Sequence, residues 1–247
     1  MIVIEGKDSF DWVALTSAII SLLAVVVAIV AIWMQQKQFK KQREPVIAPA
    51  IKSFNLELPE THLDWDTGEE LNDKFSNTTI PIYNYGGTTA FNIGYSYKFV
   101  NLNKIKTHLE HKLIRDNFNI KIEAIDEKEK SFDLVFTNET KRKRFHKIRP
   151  YLKRTDLIQS GDKVNIVLPS YFLVLINWEF QLVDFDDIQL PELELTLVYN
   201  DINNQKWVVK HLIKMDTYRE YDGNELKSNF VSEFISKHKV TSNKRTF

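Results

Sequence analysis

Twenty-two consecutive residues without a charge, Trp12 to Trp33 (WVALTSAIISLLAVVVAIVAIW), limit what this chain can become more than any other feature. At about 1.5 Å of rise per residue, a helix of that length covers a hydrocarbon core of about 30 Å. A tryptophan at each end suits the two headgroup interfaces. A secretory signal has a basic leading region and a shorter apolar core, whereas residues 1–11 carry Glu5, Asp8 and Asp11 against Lys7 alone. The core helix of a soluble domain is rarely apolar on every face over such a length. The stretch therefore predicts a transmembrane helix over residues 12–33. Lys37, Lys40, Lys41 and Arg43 follow it before the first acid, Glu44. Basic flanks stay on the cytoplasmic side. That predicts a single-pass protein of the cell membrane: a short extracytoplasmic N-terminus (1–11), the span, a basic juxtamembrane segment (34–44) and a large cytosolic domain. Asn77 and Asn138, in Asn-X-Thr sequences, are then chance sequons.

Within the span, Ala14, Ser17, Ser21, Ala24, Ala28 and Ala31 are spaced three and four residues apart and form one stripe of small side chains. In lipid no hydrophobic force drives helices together, so close backbone approach along such a stripe favours association. The stripe predicts a homo-oligomer formed through the transmembrane helix.

From Pro45 onward the chain changes character. Period-two alternation recurs between turn residues, as expected of a β-rich domain. Phe91, Ile93, Tyr95, Tyr97 and Phe99 alternate with Asn92, Gly94, Ser96 and Lys98. Phe118, Ile120 and Ile122 continue the pattern, as do Phe132, Leu134 and Phe136, and then Leu193, Leu195, Leu197 and Tyr199. Residues 206–215 follow the last of these across NDINNQ and read as its hairpin partner. Asn84-Tyr85-Gly86-Gly87 and Ser160-Gly161-Asp162 mark tight connections, since glycine tolerates positive φ. Leu102, Ile105, Leu109 and Leu113 predict a short helix, and Leu226, Phe230 and Phe234 predict a second. No linker interrupts residues 45–240, which read as one domain with a tail at 241–247.

Residues 81–97 (PIYNYGGTTAFNIGYSY) resemble the strand–turn–strand passage N-x-G…A-x-N-I of bacterial immunoglobulin-like sandwich modules. The resemblance implies a β-sandwich; a five-stranded barrel of the OB type with insertions, built from the same alternating strands, is the alternative.

Catalytic patterns are missing. The seven glycines form neither a phosphate-binding loop nor a G-x-G-x-x-G turn, no serine sits in G-x-S-x-G, and cysteine is absent. His108 and His111 lie one helical turn apart but lack a third metal ligand. The acidic runs Asp64, Asp66, Glu69, Glu70, Asp73 and Asp184, Asp186, Asp187 lack the spacing of a calcium loop. The expectation is a non-enzymatic protein with no catalytic residue, metal or cofactor.

The strongest functional signal is electrostatic. Residues 141–154 (KRKRFHKIRPYLKR) contain eight Lys or Arg and no acid, so in a chain of zero formal charge the remainder carries −8. Lys141, Arg142, Lys143, Arg144, Lys147, Arg149, Lys153 and Arg154 are candidate phosphate contacts. Phe145 and Tyr151, interleaved among them, are candidate stacking platforms for unpaired bases. Ile148, Tyr151 and Leu152 are placed to pin the segment to the core. The pattern predicts binding of single-stranded nucleic acid, RNA or DNA, without sequence preference. Anionic lipid and an acidic protein partner compete for the same charge. The alternative function is a non-enzymatic protein-interaction module of a membrane complex.

The layout as a whole is an acidic N-terminus, one span, a basic flank and a cytosolic β-domain with basic and aromatic residues. It resembles the membrane-anchored abortive-infection proteins, phage-resistance proteins of bacteria. That resemblance covers the chain in layout and size, and implies a cytosolic nucleic-acid-binding domain held at the membrane to interfere with phage replication.

Overall fold

The computed structural model describes residues 12–58, 78–110, 119–129, 131–137, 143–149, 152–181, 188–223 and 225–240. The contacts divide the chain into two compact units, Met1–Glu44 and Pro45–Phe247.

In the first unit, helix α1 (Trp12–Gln42) contains the uncharged stretch and continues through the basic flank. Its Trp12–Phe39 portion is long and apolar enough to cross a membrane, with its apolar side chains exposed. Two hydroxyls inside it are satisfied locally: Ser21 Oγ donates to the Ser17 carbonyl at 2.8 Å and Thr16 Oγ1 to the Trp12 carbonyl at 2.9 Å. Lys37 reaches back over the Trp33 ring, 5.2 Å from its centroid.

The second unit is mainly β. Strands β1 (Ile47–Pro49), β2 (Lys52–Glu57), β3 (Thr79–Asn84) and β4 (Ala90–Phe99) lead to helix α2 (Leu102–Glu110). Strands β5 (Asn119–Asp126), β6 (Ser131–Thr137), β7 (Lys143–Ile148), β8 (Leu152–Ile158) and β9 (Lys163–Val167) lead to helix α3 (Ser170–Gln181). Strands β10 (Leu193–Asn200), β11 (Lys206–Met215), β12 (Glu220–Asp222) and β13 (Glu225–Lys239) complete it. A three-stranded sheet, β1-β3-β9, and a seven-stranded sheet, β12-β13-β11-β10-β4-β8 with β2 also on β13, share one core. The chain crosses from one sheet to the other at β1–β2, β2–β3, β3–β4, β8–β9 and, through α3, β9–β10. Strands β5-β6-β7 form a third sheet, inserted between β4 and β8. Among the described residues the strands form separate sheets and not one closed ring.

Alternation dictates the packing. In β10, Leu193, Leu195, Leu197 and Tyr199 are fully buried, while Glu194, Thr196 and Asn200 face outward. Each buried leucine contributes about 2 kcal/mol through the apolar surface it removes from water. Residues 206–215 pair antiparallel with β10 as expected, and Asp201 organises the turn. Its Oδ1 accepts the Asn203 and Gln205 N–H groups, each at 2.9 Å, and its Oδ2 accepts Trp207 Nε1 at 3.1 Å. Gly161 turns the Ser160–Asp162 connection at φ 81°. Gly86 and Gly87 need no left-handed φ; their corner is held by Asn84.

Two helix expectations divide. The first is met by α2, whose Ile105 and Leu109 are buried and Leu102 half-buried; Leu113 lies outside the described residues. The second is corrected: residues 225–239 form strand β13. Leu226, Phe230 and Phe234 are four apart, and four is a multiple of two, so the same residues mark one side of a strand. Ser228, between them, is buried with its Oγ donating to the Tyr218 carbonyl at 3.0 Å. The second helix of the domain is α3, which the alternation pattern does not mark. It opens where Phe172 N–H donates to the Pro169 carbonyl at 3.0 Å, and it is buried on almost every side.

Candidate nucleic-acid interface

The insertion of β5-β6-β7 divides the basic run between two sheets. Lys143–Ile148 form β7 and pair antiparallel with β6, with Phe145 opposite Val135, Arg144 opposite Phe136 and Lys143 opposite Thr137. Leu152–Ile158 form β8 and pair with β4. Lys141, Arg142 and Tyr151 lie outside the described residues, as do the side chains of Lys143, Arg144 and Phe145. Lys147, Arg149, Lys153 and Arg154 are exposed. Ile148 packs against the core and anchors the run as expected. Leu152 does not: it is 38% exposed and lies across Gly94 on the outer face of the large sheet. Six residues apart, Leu152 and Ile158 would share a face in a regular strand, but the pairing of β8 with β4 is interrupted at Asn92, so that Ile158 lies opposite the buried Ala90 and Leu152 opposite the outward Ser96.

Among the described residues, strands β7 and β8 each end their sheet. Cations on edge strands discourage pairing with another chain, so part of this charge serves solubility. Three lysines elsewhere on the large sheet are neutralised nevertheless. Lys210 pairs with Glu194 at 2.7 Å, Lys227 with Glu220 at 3.1 Å, and Lys214 with Glu233. By contrast, among the described residues no carboxylate comes within 4.0 Å of the Lys147, Arg149 or Arg154 cations. This holds even though Lys147 stands opposite Asp133 in register.

Arg154 continues inward onto the sheet. The register aligns Arg154, Gly94, Val198, Val208 and His238 in one row across β8, β4, β10, β11 and β13. Gly94 and Val198 floor a groove of about 380 Å³ there, with Leu152 and Arg154 on one wall and Asn92 and Lys206 at the other end. Asp156 also lines it. Asn92 sits at φ 50°, where β4 bulges between its pairings with Val198 and Asn200. Neither Gly94 nor Asn92 stands out in the charge pattern. The available signal was a glycine at an outward position of an otherwise strongly alternating strand, a mark of close approach by another group.

Elsewhere, His108 meets Glu179 at 3.0 Å, both side chains buried, which ties α2 to α3; His111 is outside the described residues. The acidic runs at 64–73 and 184–187 also lie outside them. A second cavity of about 550 Å³, between the end of β4, the start of α2 and the β5–β6 hairpin, carries Lys98 and Lys104 against Asp126, Glu127 and Glu192 and so has no single charge preference. Among the described residues no three His, Asp or Glu side chains converge as a metal site.

No protein-family model, curated protein or solved structure matches this chain.

Proposed function

We propose that this is a single-pass membrane protein, N-terminus outside, whose β-domain is held at the cytosolic face and binds single-stranded nucleic acid without sequence specificity. The observation that carries the reading is the set of exposed cations at Lys147, Arg149 and Arg154 on two edge strands, without a carboxylate partner among the described residues, where Lys210, Lys214 and Lys227 of the large sheet are each paired with one. Phosphate backbones release counterions to such groups, and arginine adds planar, bidentate contacts. The basic flank after α1 supports the orientation. A role in phage defence by abortive infection rests on the resemblance in layout alone; phage plating on bacteria with and without the intact gene tests it, and equal plaque counts would remove it.

The binding test uses the full chain in phosphatidylcholine nanodiscs, titrated with labelled twelve-nucleotide RNA, single-stranded DNA and duplex DNA at two salt concentrations. Single strands are expected to bind more tightly than duplex, with affinity falling steeply as salt rises. Replacing Lys147, Arg149, Lys153 and Arg154 together by Ala should weaken binding and reduce the log–log salt slope by about 3, given roughly 0.7 per lost contact on a single strand. Unchanged affinity and slope would reject the assignment. Binding to phosphatidylserine vesicles but not to strands would replace nucleic acid by lipid.

A protein-interaction module is the second reading, and one observation favours it. Pairing of β2 with β13 stops at Phe230, and beyond it Phe234 and Ile235 are 65% and 47% exposed. A partner strand could add there, and specific co-purifying proteins together with no retention on nucleic acid would support this reading instead.

A further inference from the structure

We infer that the groove over Gly94 is a base seat: one unstacked nucleobase of a bound single strand lies on Gly94 and Val198 while its phosphate meets Arg154. This inference rests on the single-strand reading and adds to it a seat for a base apart from the candidate stacking residues Phe145 and Tyr151. The groove, about 380 Å³, lies within the range of small-ligand sites, roughly 300–1,000 Å³. It is continuous with the basic run, because Leu152 and Arg154 belong to both.

The chemistry of the lining divides as a nucleotide does. The floor is apolar: Gly94 has no side chain, and Val198 beside it is buried. Leu152 leans over the glycine, and a Cβ at Gly94 would come within 3.2 Å of Leu152 Cδ1. A planar base can slide along such a floor with its apolar face covered. Arg154 stands at one end as an unneutralised guanidinium, and Lys206 lines the other end. A phosphate meets the Arg154 guanidinium, with Asp156, two residues further along β8, the one acid in the lining. Asn92 supplies an amide, both donor and acceptor, able to meet the edge of any base; its left-handed backbone at the β4 bulge turns that residue out of the regular ladder. A seat that offers an apolar floor and one versatile amide favours a base over no base without choosing among bases, in keeping with low sequence preference.

The test compares two twelve-residue strands of equal charge on the full chain in phosphatidylcholine nanodiscs: oligodeoxythymidine, and the same deoxyribose-phosphate backbone without bases. Wild type is expected to bind the base-bearing strand about tenfold more tightly, the lower range of one stacked base. Gly94→Leu fills the groove, pressing on the Leu152 side chain, and should cut the preference for the base-bearing strand several-fold while the salt slope stays as in wild type. Equal binding of both strands by wild type overturns the base seat and leaves the phosphate reading standing. A folded Gly94→Leu chain that keeps the tenfold preference overturns it as well. Should neither strand bind, the base seat and the nucleic-acid reading fall together. The strand comparison on wild type decides the matter if the variant does not fold.

Discussion

Asn84 is 1% exposed, and its side chain makes four hydrogen bonds. Its Oδ1 accepts the Val46 N–H at 3.2 Å and the Gly86 N–H at 3.0 Å. Its Nδ2 donates to the Thr88 carbonyl at 2.7 Å and the Ile158 carbonyl at 3.0 Å. One amide thus joins the approach to β1, the β3–β4 corner and the end of β8. Asn84→Ala removes all four bonds and leaves buried main-chain groups without partners, so stability should fall by about 3 kcal/mol. Urea unfolding measures this; a loss below about 1 kcal/mol would show that the corner is held by its backbone alone. His211 is the opposite case. It is 4% exposed, stacks edge-on against Phe234 with ring centroids 5.8 Å apart, and neither ring nitrogen has a hydrogen-bond partner among the described residues. Burial pushes its pKa below the ordinary 6.5, and the nearby Ile47 main chain opposes this only in part. In the unfolded chain the ring takes a proton near its ordinary pKa, while the folded protein refuses it until a lower pH. Its effect on stability is therefore flat above about pH 6.5 and turns unfavourable as pH falls from there towards the folded pKa. His211→Leu should lose less stability than wild type between pH 7.5 and 5.5. Parallel losses would assign the acid sensitivity to other groups.

At the scale of elements, β13 and α3 show why local pattern has limits. The 226–230–234 spacing fits a helix face and a strand face equally. Pairing with β2 through Glu225–Phe230 and with β11 through Phe230–Lys239 selects the strand. The register shift opposite Lys210 and His211 then leaves Ile235 as an extra residue on the outer part of β13. In α3 (SYFLVLINWEFQ), burial on nearly every side removes the polar face that would have revealed a period of 3.6. The α1 stripe raises the reverse question, whether a pattern visible in the sequence has a partner. Ser21 already satisfies its hydroxyl within the helix, so association along Ala14, Ser17, Ser21, Ala24, Ala28 and Ala31 would depend chiefly on shape, with Ser17 the other hydroxyl on the stripe. Ser21→Leu with Ala28→Leu should then cut crosslinking between copies in membranes several-fold. An unchanged crosslinking yield would leave the stripe facing lipid.

At the scale of the whole molecule, the uncharged span and the alternation at 91–99, 132–136, 193–199 and 206–215 were legible because each records a local burial condition: apolar all round in lipid, or apolar on one face of a sheet. The β3–β4 passage was legible too, since Asn84 and the glycines after it are the corner that carries the chain between sheets. The basic run was legible as charge but not as a surface. An unbroken stretch in the chain becomes two edge strands in two sheets, because β5–β7 form their own sheet between β4 and β8. The groove that adjoins Arg154 gathers Asn92 and Gly94 from β4, Val198 from β10 and Lys206 from β11, and no sequence interval connects them. The sequence by itself determined a membrane-length apolar helix, a β-rich domain and a dense positive segment, since hydrophobicity, period and charge are properties of neighbours along the chain. Tertiary structure alone decided that residues 225–239 are a strand, that α3 is a helix and that Gly94 floors a groove. Those depend on which strands pair and which faces are covered, and residues far apart in the chain set both.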